Sequence, residues 1–510
     1  MSKFSQILAI TFLLTAIISC EKERKLPPVT PTEFVRYNTG ITTTSPSLGG
    51  KEVSFNILFP KDYRENTEGR YPVIYMLKGY GEAGKDWSSW ISRINQLEVN
   101  DLQTMIYIFP ECYNTYYCNS YDGLDPYMDM LIKDLVPFVD KSFRTIADRE
   151  HRAVMGYSMG GFGAMALALK HPETFSMSVP LSMSFRTDEQ YMTESAGGWD
   201  YQWGSIFGGK GQSGEARLTD YYKSHCPFYQ FIPENKAELS KVKWFFHCGD
   251  DEEQLLIAND NLHVQLRDYG YEHEFRISDG GHSGDYWRNA ARETLRWIQH
   301  NMNDGGEWTR IMNDVTEKPV ELNDDGTFSS KGFMDAETKN GTAFYLVHSD
   351  FSADLLKKII SLISQSNSYR QYMILPCDIN IKSMEEWVAE YTEKYEVGKT
   401  LSQSQVITFG STGREVWNSK DLFGGYYFVD ADLAEDESTI TADKDRFYYI
   451  DQTDDSENYR DMNALYRACM TAIPHIDDRN FEYRMRNGLK DKEKEILLAS
   501  ESIADNLKFE

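Results

Sequence analysis

The stretch Val154-Met155-Gly156-Tyr157-Ser158-Met159-Gly160-Gly161 decides the fold. Gly-x-Ser-x-Gly between a strand and a helix is typical of a nucleophile elbow, a turn so tight that Gly156 and Gly160 cannot carry side chains. The turn raises the Ser158 hydroxyl above the edge of a sheet and directs helix amides toward the same point. We therefore expect Ser158 to be a nucleophile and the N–H of Met159 to be a donor to an oxyanion.

Apolar runs and helical segments alternate on both sides of this motif. Runs that are apolar at every position suit strands buried on both faces of a parallel sheet. The alternation predicts a doubly wound, mostly parallel α/β sheet. The predicted strands lie at 53–60, 71–77, 105–110, 152–155, 176–181 and 244–246, and the predicted helices at 128–139, 161–170 and 289–299.

A serine nucleophile needs a base and an acid that orients it, and in α/β-hydrolases they follow in the order serine, acid, histidine. The loop Asp279-Gly280-Gly281-His282, just before a predicted helix, makes His282 the candidate base. The acid should follow an earlier strand, where Asp250-Asp251-Glu252-Glu253 offers four carboxylates in a row. Spacing alone does not choose among the four.

Residues from about 45 to 300 resemble the esterase D/feruloyl esterase family of α/β-hydrolases. The resemblance implies an α/β-hydrolase fold and hydrolysis of carboxylic esters without metal or cofactor. It rests on Tyr71-Pro72-Val73 leading to Gly79-Tyr80-Gly81, on Gly156 to Gly161, on Cys248-Gly249 with its acidic run, and on Gly280-Gly281-His282 followed by Tyr286-Trp287.

The resemblance also assigns roles, with two departures from the family. The acid in relatives is an aspartate three residues after the Gly of Cys-Gly, which is Glu252 here; the run is one residue longer than usual, so Asp251 is the second choice. Relatives carry a histidine where this chain has Lys78. The second oxyanion donor is expected to be the N–H of Gly79 or Tyr80.

Between 185 and 241 the regular pattern lapses, and the segment is rich in aromatic residues. It could form a cap whose rings stack on a ring-shaped substrate, or the rings could pack an irregular excursion. The residues concerned are Trp199, Tyr201, Trp203, Phe207, Tyr221, Tyr222, Phe228 and Tyr229.

The first twenty residues are expected to be a lipoprotein signal peptide. Residues 7–18 are almost entirely apolar but too few to span a bilayer. The small residue before Cys20 resembles the lipobox of bacterial lipoproteins, in which that cysteine becomes the lipidated first residue. We expect an exported chain anchored to the envelope, in the outer membrane, through Cys20, with 21–44 as tether and entry strand. A plain signal peptide is the alternative.

The second half of the chain repeats landmarks of the first. After a polar 301–340 linker, 341–510 is predicted to be a smaller, degenerate hydrolase-like α/β domain; an unrelated α/β module is the alternative. Gly410-Ser411-Thr412-Gly413 is one residue short of the elbow motif, and no histidine follows His475. The matching segments are 372–377 with 106–112, 406–413 with the elbow, 449–455 with 247–251, and 481–484 with 273–276.

A net charge of −26 disfavours binding to nucleic acid but is compatible with a neutral substrate. The sequence therefore favours an envelope-anchored serine esterase acting on small-molecule or oligosaccharide esters. An acyltransferase of the same fold and a non-catalytic glycan-binding surface protein are the alternatives. Cys112 and Cys118 could form a disulfide or remain buried thiols, and the oligomeric state is left open.

Overall fold

The computed structural model describes residues 35–100, 102–302, 321–322, 328–329, 341–364, 372–434, 436–472, 481–489 and 491–507. Cys20, the expected signal peptide and most of the 301–340 linker lie outside these residues. Within them, no helix combines the length and apolarity needed to cross a membrane.

The first half of the chain contributes eight strands in the order β1-β2-β4-β3-β5-β6-β7-β8. Strands β3 to β8 run parallel, and β2 pairs antiparallel with both β1 and β4. This is the α/β-hydrolase fold. The strands are β1 (Tyr37–Ser45), β2 (Lys51–Leu58), β3 (Val73–Leu77), β4 (Ile106–Pro110), β5 (Arg152–Tyr157), β6 (Met177–Leu181), β7 (Lys243–Gly249) and β8 (Glu274–Ser278).

Helices cover both faces of the sheet, which is why β3, β4, β5 and β6 are buried at every position. We number the described helices of at least twelve residues: α1 (Ser88–Asn100), α2 (Met159–Lys170), α3 (Glu253–Asp268), α4 (Gly284–Met302), α5 (Ala353–Ser364), α6 (Met384–Tyr395), α7 (Tyr459–Ala472) and α8 (Lys492–Leu507).

Shorter helices fill the connections between strands. The helix predicted at 128–139 is a run of Tyr127–Asp129, a π-helical Met130–Leu135 and Val136–Ser142. The insertion between β6 and β7 is mostly helical rather than irregular. Its helices and 3₁₀ turns are Asp188–Thr193, Ala196–Gln202, Gly204–Phe207, Gly214–Arg217, Asp220–His225, Pro227–Gln230, Pro233–Asn235 and Lys236–Leu239.

In its described residues the second half repeats the strand order of the first, without a counterpart of the antiparallel β1–β2 pair. The order β12-β11-β13-β14-β15-β16 corresponds to β4-β3-β5-β6-β7-β8, and every neighbouring pair in it is parallel. The strands are β11 (Thr342–His348), β12 (Tyr372–Asp378), β13 (Ser404–Phe409), β14 (Gly425–Val429), β15 (Phe447–Thr453) and β16 (Phe481–Arg486).

The remaining short elements lie in the expected linker and in the second half. Within 301–340, α4 continues to Met302, and β9 (Glu321–Leu322) pairs antiparallel with β10 (Phe328–Ser329) in a separate two-stranded sheet. The others are Leu401–Gln403, Gly410–Thr412, Gly413–Asn418, Lys420–Leu422 and Glu437–Thr439.

The two halves share one sheet of fourteen strands, although the sequence suggested two domains. Strand β8 pairs antiparallel with β16, placing Arg276 opposite Arg484. Local sequence patterns could not show this because a charged residue in an edge strand is also what a solvent-exposed edge would carry.

Candidate active site

The elbow motif forms the turn between β5 and α2, with Ser158 at its tip. Ser158 has φ 57°, in the left-handed region that non-glycine residues seldom occupy. A Cβ on Gly156 would overlap the carbonyl of Gly160, and a Cβ on Gly160 would overlap the carbonyl of Leu77. The close approach of α2 to the strands therefore requires both glycines, as the motif predicted.

Ser158, His282 and Glu252 form a chain of hydrogen bonds. Ser158 Oγ lies 2.8 Å from His282 Nε2, and His282 Nδ1 lies 2.6 Å from Glu252 Oε2. The Glu252 side chain is fully buried, whereas that of His282 is 40% exposed. Of the two carboxylates proposed as the acid, the structure brings Glu252 rather than Asp251 to the histidine.

A second set of contacts holds Glu252 in this position. Its Oε1 accepts hydrogen bonds from Ser182 Oγ and, at 3.1 Å, from the N–H of Gly249. Trp287 Nε1 donates to Ser182 Oγ at 2.8 Å, and the Trp287 ring stands edge-on to His282 with centroids 5.0 Å apart. Ser182 lies seventy positions before Glu252 and belongs to no motif, so no pattern in the sequence indicates this role.

The neighbouring carboxylates have other surroundings. Asp250 Oδ1 accepts the N–H of Gly280 at 3.0 Å and so joins the loop after β7 to the loop that carries His282. Burial raises the pKa of Asp250 to about 7. Oxygens of Asp250, Asp251 and Asp279 lie within 4.8 Å of one another, a spacing that an ion could bridge but that acidic loops commonly show without one.

The contacts of the loop after β3 distinguish the two alternatives, Gly79 and Tyr80, for the second oxyanion donor. The N–H of Gly79 donates to Glu82 Oε2 at 3.3 Å, and the same oxygen accepts the hydroxyl of Tyr157 at 2.7 Å. Gly79 is thus engaged by a carboxylate, which leaves the N–H of Tyr80 as the candidate. Met159 is the first residue of α2, where a backbone amide has no acceptor within its own helix.

Lys78, where the family resemblance led us to expect a histidine, is buried and faces its own loop. Its Nζ donates to the carbonyls of Glu82 and Lys85 at 3.0 and 3.1 Å and to Glu111 Oε2 at 3.2 Å. The ammonium group therefore fastens the loop that carries Tyr80.

The aromatic residues of the insertion fall into different environments. Trp199, Trp203, Phe207 and Tyr222 are at most 1% exposed and pack as core. Tyr201 is 73% exposed, and its ring meets that of Tyr80 in the loop after β3, with centroids 5.8 Å apart. Tyr221, Phe228 and Tyr229 are partly buried against the core.

The six cysteines after Cys20 are all buried and unpaired with one another. Cys112 and Cys118 do not form the disulfide that their spacing allowed.

Comparison with known proteins relates the first half of the chain to esterases. Residues 45–298 match the model of the family described as "Putative esterase". The first half of the chain belongs to this esterase family. Esterase Rv1288 of Mycobacterium tuberculosis is 28% identical over 271 residues, covering 49% of this chain and 55% of that protein. An endo-1,4-beta-xylanase/feruloyl esterase of Xylanibacter ruminicola is 26% identical over 260 residues, covering 49% and 28%.

The chain thus spans about half the length of the mycobacterial relative and less of the xylanase. Among solved structures, a ferulic acid esterase is 25% identical, with a TM-score of 0.44, and its match covers 52% of this chain and all of that one.

Proposed function

We propose that this protein is a serine esterase that hydrolyses carboxylic esters with Ser158 as nucleophile, His282 as base and Glu252 as orienting acid. The observation that carries the proposal is the hydrogen-bond chain from Ser158 Oγ through the imidazole to the buried Glu252. A serine on an elbow, a histidine within reach of it and a carboxylate on the far nitrogen are the parts that acyl transfer through a serine requires.

The geometry supports a two-step reaction. His282 Nε2 takes the hydroxyl proton while Ser158 Oγ attacks the ester carbonyl, and the N–H groups of Met159 and Tyr80 stabilise the oxyanion. His282 then gives the proton to the leaving alcohol, and an acyl-enzyme remains. Water attacks the acyl group, again with His282 as base, and Ser158 is restored. Glu252 accepts the Nδ1–H throughout and balances the positive charge of the imidazolium.

The proposed substrates are acyl groups on neutral glycans or similar scavenged molecules. A relative named as a feruloyl esterase supports this choice, and so does a surface whose net charge of −26 disfavours anionic polymers. Release of acid from acetylated and feruloylated xylo-oligosaccharides, compared with 4-nitrophenyl acetate, tests it. Hydrolysis of the aryl ester but of neither oligosaccharide would reject the glycan assignment.

We further propose that the protein is exported and anchored to the outer membrane through a lipid on Cys20. The support is the lipobox-like sequence before that cysteine. Labelled palmitate should be incorporated into the parent protein and not into Cys20→Ser. Equal labelling of both proteins would show that the lipid is not attached to Cys20.

The central test of the esterase itself is Ser158→Ala, assayed on 4-nitrophenyl acetate with fold checked by circular dichroism. The expected result is a folded protein without measurable turnover. Hydrolysis at the parent rate would overturn the proposed function.

A further inference from the structure

Two helices begin where the proposed acid and base stand. Glu252 immediately precedes α3, and His282 lies two residues before α4. Any displacement of these helices therefore moves the two side chains whose hydrogen bond is only 2.6 Å long. What holds the helices is consequently part of what holds the proposed catalytic groups.

Helix α3 is held by tyrosines of the second half. The hydroxyl of Tyr466 donates to Asp260 Oδ1 at 3.0 Å, and that of Tyr483 lies 3.2 Å from His263 Nε2. The two tyrosine rings stack with centroids 4.2 Å apart, and both are fully buried. The second half thus contacts α3 through polar groups that water cannot replace.

The contact with His263 belongs to a longer chain of hydrogen bonds. The donor and the acceptor in each bond follow from the carbonyl at one end of the chain. His273 Nδ1 must donate to the carbonyl of Tyr271, at 2.8 Å, so its Nε2 accepts from His263 Nδ1 at 2.9 Å. His263 Nε2 must then accept the Tyr483 proton, and Tyr483 in turn accepts from Gln452 Nε2 at 2.6 Å. Burial lowers the pKa of both histidines, that of His273 to about 4, and the neutral forms fit this arrangement.

Helix α4 is held by charge. Glu293 lies between Arg276, whose Nε is 2.7 Å away, and Arg484 of β16. Although burial raises the pKa of Glu293, the two guanidinium groups lower it further, to about 2. Arg296 Nη1 also donates to Asp505 of α8 at 2.7 Å.

The β8–β16 pairing is self-complementary. Tyr483 lies opposite Ile277, Arg484 opposite Arg276 and Met485 opposite Phe275. Because 481–484 corresponds to 273–276 in the repeat, the central pair joins two equivalent arginines. In the same repeat Phe275 corresponds to Tyr483, and Ile277 corresponds to Met485. Exchanging the two halves therefore converts one flanking pair into the other. An interface of this kind is what a two-fold axis produces between identical subunits.

We propose that the second half is a built-in partner subunit that positions the acid and base of the first, with Tyr466 and Tyr483 as positioning residues. The inference rests on the proposed function. It gives the second half a task in the reaction, although none of its described residues contacts Ser158, His282 or Glu252. Removing a hydroxyl from either tyrosine leaves a buried acceptor on α3 without its donor, and α3 can shift to satisfy it.

The test uses the full-length protein and three Tyr→Phe variants that each delete one buried hydroxyl. Tyr466→Phe and Tyr483→Phe should each lower kcat on 4-nitrophenyl acetate about fivefold with KM unchanged, and the double variant more. The control is Tyr345→Phe. Tyr345 of β11 is equally buried in the second half, and its hydroxyl lies 3.3 Å from Thr392 Oγ1 of α6 rather than from a group on α3. It should lose a similar amount of stability and keep kcat.

A conservative pair separates positioning from general loosening. Asp260→Asn keeps an acceptor for the Tyr466 hydroxyl and should keep kcat, whereas Asp260→Leu should match Tyr466→Phe. The downfield proton resonance of His282 Nδ1–H provides a readout that needs no turnover. It should shift or broaden in the two Tyr→Phe variants of the α3 contact and not in Tyr345→Phe.

Unchanged kcat and an unchanged His282 resonance in the double variant would overturn the inference. So would a loss of kcat in Tyr345→Phe as large as in Tyr483→Phe, because the effect would then be one of stability alone. Parent-like activity of Ser158→Ala would instead reject the proposed function, and the resonance would still decide whether the second half positions His282.

Discussion

The two halves of the molecule contain the same turn, but the second half has a glycine where the first has Ser158. Ser158 follows β5 with φ 57°, and Gly410 follows β13 with the same φ. The carbonyl of Ser158 accepts the N–H of Ser184 at 3.0 Å, as that of Gly410 accepts the N–H of Asp432 at 3.0 Å. The second elbow therefore keeps the backbone of a nucleophile and has no hydroxyl at its tip.

The two halves also differ in the carboxylate that follows the elbow. In the first half Ser182 bonds Glu252, which also accepts the N–H of Gly249. In the second half Asp430 stands where Ser182 does, each with φ 45°, and accepts the N–H of Thr453 at 2.8 Å. In the second half, therefore, a carboxylate reaches the equivalent amide from the neighbouring strand rather than from the loop that carries Glu252 in the first half.

The residue two positions after the tip of the elbow must be a glycine in the first half but not in the second. In the first half Gly160 lies so close to Leu77 that no side chain fits. At the corresponding place Thr412 carries a side chain and contacts the carbonyl of Val347 at 3.4 Å. The lesson is that strand order and turn survive without the chemistry, while the chemistry depends on a few side chains placed on them.

The largest effect is expected from removing the Ser158 hydroxyl, which has no counterpart at the tip of the second elbow. Ser158→Ala should reduce kcat by roughly 10⁶-fold, the scale found when a triad serine is removed. Circular dichroism and thermal melting should match the parent, because alanine is smaller than serine at a buried position. Ser411→Ala in the second elbow is the matched control and should change kcat by less than twofold. Equal losses in both would mean that the two elbows cannot be distinguished by function.

The next effect concerns the carboxylate whose place differs between the halves. Glu252→Gln should lower kcat about 10⁴-fold, because an amide holds the imidazole in the wrong tautomer. Asp251→Asn, one residue away and without a bond to His282, should stay within about tenfold of the parent. Rates on one aryl ester decide between them. A crippled Asp251→Asn beside a healthy Glu252→Gln would place the acid one residue earlier than the structure does.

Residue patterns sufficed to predict the parts of the fold and site that depend on local geometry. Glycine spacing located Ser158, and the Gly-Gly-His loop located His282. The choice of Glu252 over its neighbours needed either family resemblance or structure, because adjacent carboxylates are chemically alike. Ser182 and the partner of β8 were beyond prediction, since each contact joins segments far apart in sequence and neither leaves a periodic signal.

A smaller effect tests a bond that both halves share. Asp250 accepts the N–H of Gly280, and Asp454 accepts that of Gly488 at 2.7 Å. Because burial raises the pKa of Asp250 to about 7, the folded protein holds a proton that the unfolded chain releases near pH 4. The free energy of unfolding therefore decreases as the pH rises from about 4 to 7.

Asp250→Asn keeps an acceptor for Gly280 and cannot ionise. Its melting temperature should equal that of the parent near pH 4 and exceed it by a few degrees at pH 8, with kcat within about tenfold. Melting curves of both proteins across this range provide the measurement. A variant less stable than the parent at pH 8 would show that the charged form of Asp250 stabilises the fold.

The smallest effect is expected from adding a serine hydroxyl to the tip of the second elbow. Gly410→Ser places a hydroxyl on the second elbow, where a Cβ meets nothing within 4 Å but φ stays positive. The strain should cost about 1 kcal/mol of unfolding free energy, measured by urea denaturation. In the Ser158→Ala background the substitution should restore no esterase activity, because no acid and histidine among the described residues are arranged around Gly410 as Glu252 and His282 are around Ser158. Recovery of turnover would mean that a serine on the shared backbone is enough, and that the side chains around the first elbow matter less than the comparison of the two halves implies.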